Sequence, residues 1–241
     1  MDALIYTAMS GAERALRGQQ VHANNLANMD TGGFRANMEL STAQTLPGYG
    51  YDDRHMTQLQ ANTVLTRQGT LKSTGRELDA AISGDGFFTV QGPTGEAYTR
   101  AGAFALDPTG TLTVNGMPVL GEGGPITLPE YSKIAIGQDG TISIQSPGAA
   151  TMQSIDKLKL VKAEAAELTK NEAGLLVARS GQPLASDAGV LVRPGHLEGS
   201  NVSAVEEMVA TMSLNRTFEI QMKLFKASDS MAEVGNRLVG G

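Results

Sequence analysis

The chain has 241 residues, a formal net charge of −6, 29 glycines and neither cysteine nor tryptophan. An acidic balance argues against a nucleic-acid binder, which carries basic patches, and the missing cysteine excludes disulfides, thiol catalysis and cysteine-ligated zinc. So much glycine predicts many turns rather than one large core.

Residues 2–28 read as a helix. Asp2 is placed to cap it, and Ile5, Ala8, Ala12, Ala15, Gln19, His22 and Leu26 recur at steps of three and four. Gly11 and Gly18 each cost about 1 kcal/mol relative to alanine. With the alanines they leave a thin side that another helix can approach closely. Asn24, Asn25 and Asn28, followed by Gly32-Gly33, are the expected stop. Three asparagines in five residues also allow a second reading, an amide ladder buried between packed helices that sets register.

Residues 34–75 are polar and weakly periodic. They read as an extended connecting segment, broken at Pro47-Gly48-Tyr49-Gly50, with a short strand at Asn62–Thr66. From about residue 76 to 195 the chain reads as hairpins. Phe87–Val90 is a strand. Asp107-Pro108-Thr109-Gly110 carries type I turn residues in order. Asn115-Gly116 and Asp139-Gly140 sit between alternating runs, the strongest short hairpin signal. Leu158–Val161 and Gly174–Val177 are further strands.

Ser203 and Glu206 form a capping box that starts a last helix, which ends at Gly240-Gly241. This helix would be on the order of 50 Å long. Val202, Val205, Val209 and Met212, then Ile220, Leu224, Ala227, Met231, Val234 and Leu238, form an apolar stripe along it. A narrow stripe on a long helix needs a partner helix. The nearest candidate is the other terminus, and the next is a second copy of the chain. The fold class is therefore α+β. Residues 1–33 and 200–241 are expected to form a coiled-coil-like axial domain, with 34–75 as connector and 76–195 as a central, mainly antiparallel β domain.

No nucleophile elbow, phosphate-binding Walker loop or dinucleotide glycine fingerprint occurs, and no cofactor or metal is expected. His22, His55 and His196 are isolated, whereas metal sites need clustered ligands. Asp52-Asp53 reads as solvated loop and Glu206-Glu207 as a helix start that suits the dipole. Gly84-Asp85-Gly86 reads as a turn feeding the Phe87 strand rather than as a phosphate loop. An enzyme would need a convergent set of titratable groups. A carbohydrate-binding or adhesin-type β module would need an aromatic face, and the chain has only five Tyr and six Phe. No apolar stretch approaches the roughly 18 residues of a spanning helix, so no membrane insertion is expected. The first basic residue is Arg14, so no cleaved secretory signal is expected either.

Several segments resemble the flagellar rod and hook family. They are Asn24-Asn25-Leu26-Ala27-Asn28 with Thr31-Gly32-Gly33-Phe34-Arg35, Gln68-Gly69-Thr70-Leu71 with Thr74–Asp79, Gly84–Phe88, Tyr98–Phe104, Leu197–Val202 and Arg216-Thr217-Phe218-Glu219. They cover nearly the whole chain in the family's order. Ile5–Gly11 and Gly121–Ile126 resemble its proximal-rod branch. The distal-rod branch is the runner-up, and it carries a longer insertion after the first helix. The resemblance implies an axial structural subunit without catalysis, its terminal helices in the rod's inner tube and its β domain outside. It implies copies of itself and other rod proteins, proximal and distal, as partners, together with the flagellar type III export apparatus. The expected subunit-interface residues are Ile5, Ala8, Ala12, Ala15, Asn24, Asn25, Leu26, Asn28, Phe34, Val205, Val209, Met212, Phe218, Ile220, Leu224, Ala227, Met231, Val234 and Leu238.

Overall fold

The computed structural model describes residues 2–45, 55–171 and 174–240. The expected break at 47–50, the Asp52-Asp53 pair and the His55 side chain lie outside that description. The chain divides into two compact units: Met1–Ala27, Asn37–Asn62 and Ser203–Gly241 in the first, Asn28–Ala36 and Thr63–Val202 in the second.

Unit one holds two helices, α1 (Asp2–Ala27) and α2 (Ala204–Val239). Ser203 caps α2 by accepting the Glu206 amide at 3.5 Å. Glu206 and Glu207 stand in the first turn and Arg237 in the last, the signs the helix dipole favours. The helices pack antiparallel: Gly11 lies against Gln221, Gly18 against Leu214, and Gln19 bonds Asn215. The connecting segment is more structured than its sequence suggests. It carries two paired strands, β1 (Asn37–Thr45) and β2 (His55–Val64), and the short strand expected at 62–66 overlaps only the end of β2, which stops at Val64. Along β1 the half-buried residues are Asn37, Glu39 and Ser41, which are polar, while Met38 and Leu40 are exposed. The alternation is therefore inverted relative to the usual apolar-inside pattern and is hard to recognise in sequence.

Unit two is built almost entirely from antiparallel pairs. Its largest sheet runs, in spatial order, Leu160–Val161, Phe87–Gly92, Gly95–Thr99, Leu176–Ala178 and Leu168–Lys170. Two three-stranded sheets join 105–118 and 133–157, and two further pairs join 80–83 to 191–194 and 71–73 to 196–198. Phe88, Val90, Phe104, Leu112, Ile126 and Ile142 are fully buried, and the Phe88 and Phe104 rings meet edge to face at 5.2 Å. The Asn115-Gly116 turn has φ of 51° and 79°, the left-handed pair that a tight hairpin requires. In the Asp107 turn the carboxylate accepts the Thr109 and Thr111 amides at 2.9 and 2.8 Å. A bond from the Thr109 hydroxyl contributes most, and with those amides it holds the Asp107 pKa below the ordinary aspartate range.

Candidate functional site

Two polar constellations stand out, one in each unit. In unit one it is the seam between the helices. Ala8, Ala12 and Ala15 are buried on the thin face of α1, and Ile5 and Leu26 are half-buried. A Cβ on Gly18 would come within 2.9 Å of Leu214, so the absent side chain lets α2 approach. The α2 face that meets α1 is not the apolar stripe. Its more buried positions are Glu207, Thr211, Leu214, Phe218, Gln221 and Ser228, at steps of four, three, four, three and seven.

Among the expected α2 contacts only Phe218 turns this way. Val205, Val209, Met212, Ile220, Leu224, Ala227, Met231, Val234 and Leu238 are exposed, Ile220 at 63% and Leu238 at 80%. The reason is the partner. A surface of glycine and alanine interleaved with Gln19, His22 and Asn25 is met by Glu207, Thr211, Gln221 and Ser228 together with Leu214 and Phe218. Tyr6, Met9 and Leu16 on α1 are exposed as well.

Hydrogen bonds lock this seam. Gln19 Nε2 donates to Asn215 Oδ1 at 2.7 Å, and His22 Nδ1 pairs with Glu207. Asn25, 1% exposed, accepts the Asn37 amide at 2.8 Å and donates to the Asn37 carbonyl at 3.0 Å and to Glu207 at 3.3 Å. Its side chain thus pairs with the start of β1 as a neighbouring strand would. Asn24 accepts from the Asn37 side chain at 3.0 Å, whereas Asn28 accepts from Thr31 within the following turn. The three asparagines have different partners. Two pin β1 to α1, and the third makes a local turn.

The second constellation was not anticipated as a site, although its residues lie in the segments that carry the family resemblance. In unit two Glu198 receives two arginines. Arg35 Nη1 lies 2.6 Å from Oε1 and Arg100 Nη1 2.9 Å from Oε2, with all three side chains at most 2% exposed. The Gly69 amide donates to the same carboxylate at 2.8 Å, Arg100 Nη2 donates to the Gly84 carbonyl at 2.6 Å, and the Arg100 guanidinium lies over the Phe87 ring. Burial lowers the Arg100 pKa, and the charge of Glu198 opposes that shift.

Around this cluster Asn201 accepts the Ala36 amide at 2.7 Å and donates to the Leu65 and Arg67 carbonyls, both at 2.9 Å. Lys170 Nζ donates to the Arg35 carbonyl at 2.7 Å and sits 3.8 Å above the Phe34 ring. Burial pushes its pKa down to about 8. The glycines of these segments are steric necessities. Gly33 has φ +71°, and a Cβ there would overlap the Ala101 backbone; one on Gly102 would overlap the Ala80 carbonyl. The signal that could have revealed the site was present: single charged residues inside otherwise small, turn-forming segments need a buried counter-charge.

Chemically this cluster is a clamp. The carboxylate is fully engaged, and the guanidiniums are poor proton donors. Among the described residues no group of three His, Cys, Asp or Glu side chains could hold a metal.

Three family models match in chain order: "Flagella basal body rod protein" over residues 5–35, "Flagellar hook protein FlgE/F/G D1 domain" over 81–144, and "Flagellar basal body rod FlgEFG protein C-terminal" over 193–238. The flagellar basal-body rod protein FlgF of Salmonella typhimurium is 42% identical over 99% of both chains, and that of Escherichia coli is 40% identical over the same shares. The rod protein FlgG of Borreliella burgdorferi is 32% identical over 97% of both. With identity at this level from end to end, the chain belongs to the flagellar basal-body rod proteins, a family of structural subunits and not of enzymes.

Proposed function

We propose that the chain is a proximal-rod subunit that assembles through the bare apolar faces of its two helices. The observation that supports this reading is the α2 stripe from Val205 to Leu238, exposed while the opposite face of the same helix is occupied by α1. Contiguous exposed apolar surface of this kind marks an interaction site, and each large aliphatic side chain contributes roughly 1.5–3 kcal/mol when fully covered. On this reading Tyr6, Met9 and Leu16 join the α2 stripe as subunit contacts, and copies of the chain bury these faces as coiled-coil-like seams. The helical parts, 1–33 with 200–241, form the axial layer, with 34–75 as connector and 76–195 as a β domain. The neighbours are other copies and other rod proteins, including a distal-rod subunit like FlgG. Export would use the flagellar type III apparatus without cleavage of a signal, and the assembled rod would stand in the periplasmic space, transmitting torque around a central export channel.

The test is to place a charge on the stripe. Val209→Glu and Val234→Glu should leave the monomer's circular dichroism and melting unchanged and should abolish incorporation into rods and motility. Normal incorporation of both variants would show that this face is not the interface.

A further inference from the structure

The outward apolar stripe of α2 is interrupted by one charge. Its position between Met212 and Ile220, four residues from each, is Arg216. Two residues separate Arg216 from Leu214 and from Phe218, about 200° around the helix. It therefore points away from the face that meets α1, and its side chain is exposed. The outward face of α1 has the opposite irregularity. Tyr6, Met9, Glu13 and Leu16 recur at steps of three, four and three, and all four are exposed, so a carboxylate stands inside that apolar row.

Neither charge has a partner that would serve it once the faces are covered. The ion pairs of unit one are Glu13 with Arg17, His22 with Glu207 and Glu233 with Arg237, and Arg216 is in none of them. Glu13 Oε1 accepts from Arg17 Nη2 at 2.5 Å, with both side chains half or more exposed. An exposed pair at that spacing is weak and leaves the carboxylate available. Covering the α2 stripe takes Arg216 out of water, and a guanidinium so placed needs a carboxylate beside it. A wholly apolar partner would leave it unpaired.

We propose, on the reading that the α2 stripe is a subunit interface, that its occupant is the outward face of α1 of a second copy, with Glu13 of one copy paired to Arg216 of the other. Copies that point the same way set α1 of one antiparallel to α2 of the next. With Glu13 on Arg216, Met9 then falls on Ile220, Tyr6 on Leu224 and Leu16 on Met212. Those apolar positions lie four, seven and three residues from Glu13, and four, eight and four from Arg216. One charge pair and three apolar contacts thus agree on a single alignment. Displacement by one stripe position in either direction sets Arg216 against Met9 or Leu16, so the pair selects against the wrong alignments.

The experiment reverses the charges in the full chain and scores incorporation into rods in cells lacking the wild-type copy. Arg216→Glu and Glu13→Arg should each lower incorporation about tenfold or more, and the double variant should recover most of it. Both positions are exposed, so circular dichroism and melting of the monomers should stay as in wild type. Normal incorporation of both single variants overturns the proposal. A double variant as poor as the singles also overturns it, and assigns Arg216 to a carboxylate of a different rod protein. Val209→Glu, scored alongside, separates the two readings. If it fails to incorporate while the reversals are silent, the stripe stands and only the charge pair falls. If it incorporates normally, the interface itself is wrong. Should a reversal lower monomer melting, cysteines decide in this cysteine-free chain. Glu13→Cys in one copy and Arg216→Cys in a co-expressed copy should give an oxidised dimer in assembled rods, and monomer alone overturns the pairing.

Discussion

Unit two keeps its large apolar side chains inside: Phe88, Phe104, Leu112, Ile126 and Ile142 are fully covered, and its charge cluster is buried with them. Unit one does the reverse. Its helices meet through alanine, glycine and amides with Leu214 and Phe218, and most of its valines, methionines and leucines and Ile220 face outward. The β unit satisfies the hydrophobic effect within one chain, while the helical unit leaves its apolar stripe uncovered within the chain. Polar residues then do different work in the two places. In unit two they are buried charges that tie distant turns together, and in unit one they give a modest seam its register.

The largest expected effect lies in unit two. Glu198→Ala leaves Arg35 and Arg100 without their carboxylate and should cost about 3–5 kcal/mol, read by urea unfolding of the full chain. A loss below about 1 kcal/mol would mean that the cluster is not a keystone. Next comes Asn25→Leu in unit one. It strands the amide and carbonyl of Asn37 at a buried contact and should cost about 1–3 kcal/mol, whereas exposed Asn24→Leu should stay within about 0.5 kcal/mol. Equal losses would remove the distinction between the two asparagines. Smaller still for the monomer is Leu224→Glu, expected within about 0.5 kcal/mol of wild type in melting while rod incorporation fails. A destabilised monomer would show that Leu224 serves the fold.

Unlike these substitutions, Lys170 should show itself through a pH dependence of stability. Its pKa is about 8 in the fold, against an ordinary 10.5. Between those values the unfolded chain binds more protons, so stability should rise with pH across that window. Below it the full cost of burying the cation is present. Lys170→Met should flatten the rise, and an unchanged slope would assign it to another group.

The turn chemistry of unit two was legible because it is local: Asn115-Gly116 and Asp107 to Gly110 dictate backbone angles residue by residue. The two helices and their contact with each other were legible because alanine and glycine at helical spacing mark a close approach. The inner face of α2 was not. Periodicity ranks stripes by apolarity, and here the less apolar stripe, with Glu207, Gln221 and Ser228, meets α1. The Arg35–Glu198–Arg100 cluster was illegible for another reason. Its members are separated by 65 and 98 positions, and only the folded sheets of unit two bring them together. The β1 strand and most of β2 escaped notice because their polar residues carry little strand signal.

The seam of unit one also fixes a phase. Gln19 with Asn215, and His22 and Asn25 with Glu207, accept one axial register. Sliding α2 by one turn, about 5.4 Å, would break them together. Rolling it about its axis would break them too. In the assembly proposed above, the polar seam sets the azimuth at which the outer stripe is presented, so that every copy of the chain offers neighbours the same angle. A regular polymer needs that repeatability, and an apolar contact alone, indifferent to direction, would not supply it.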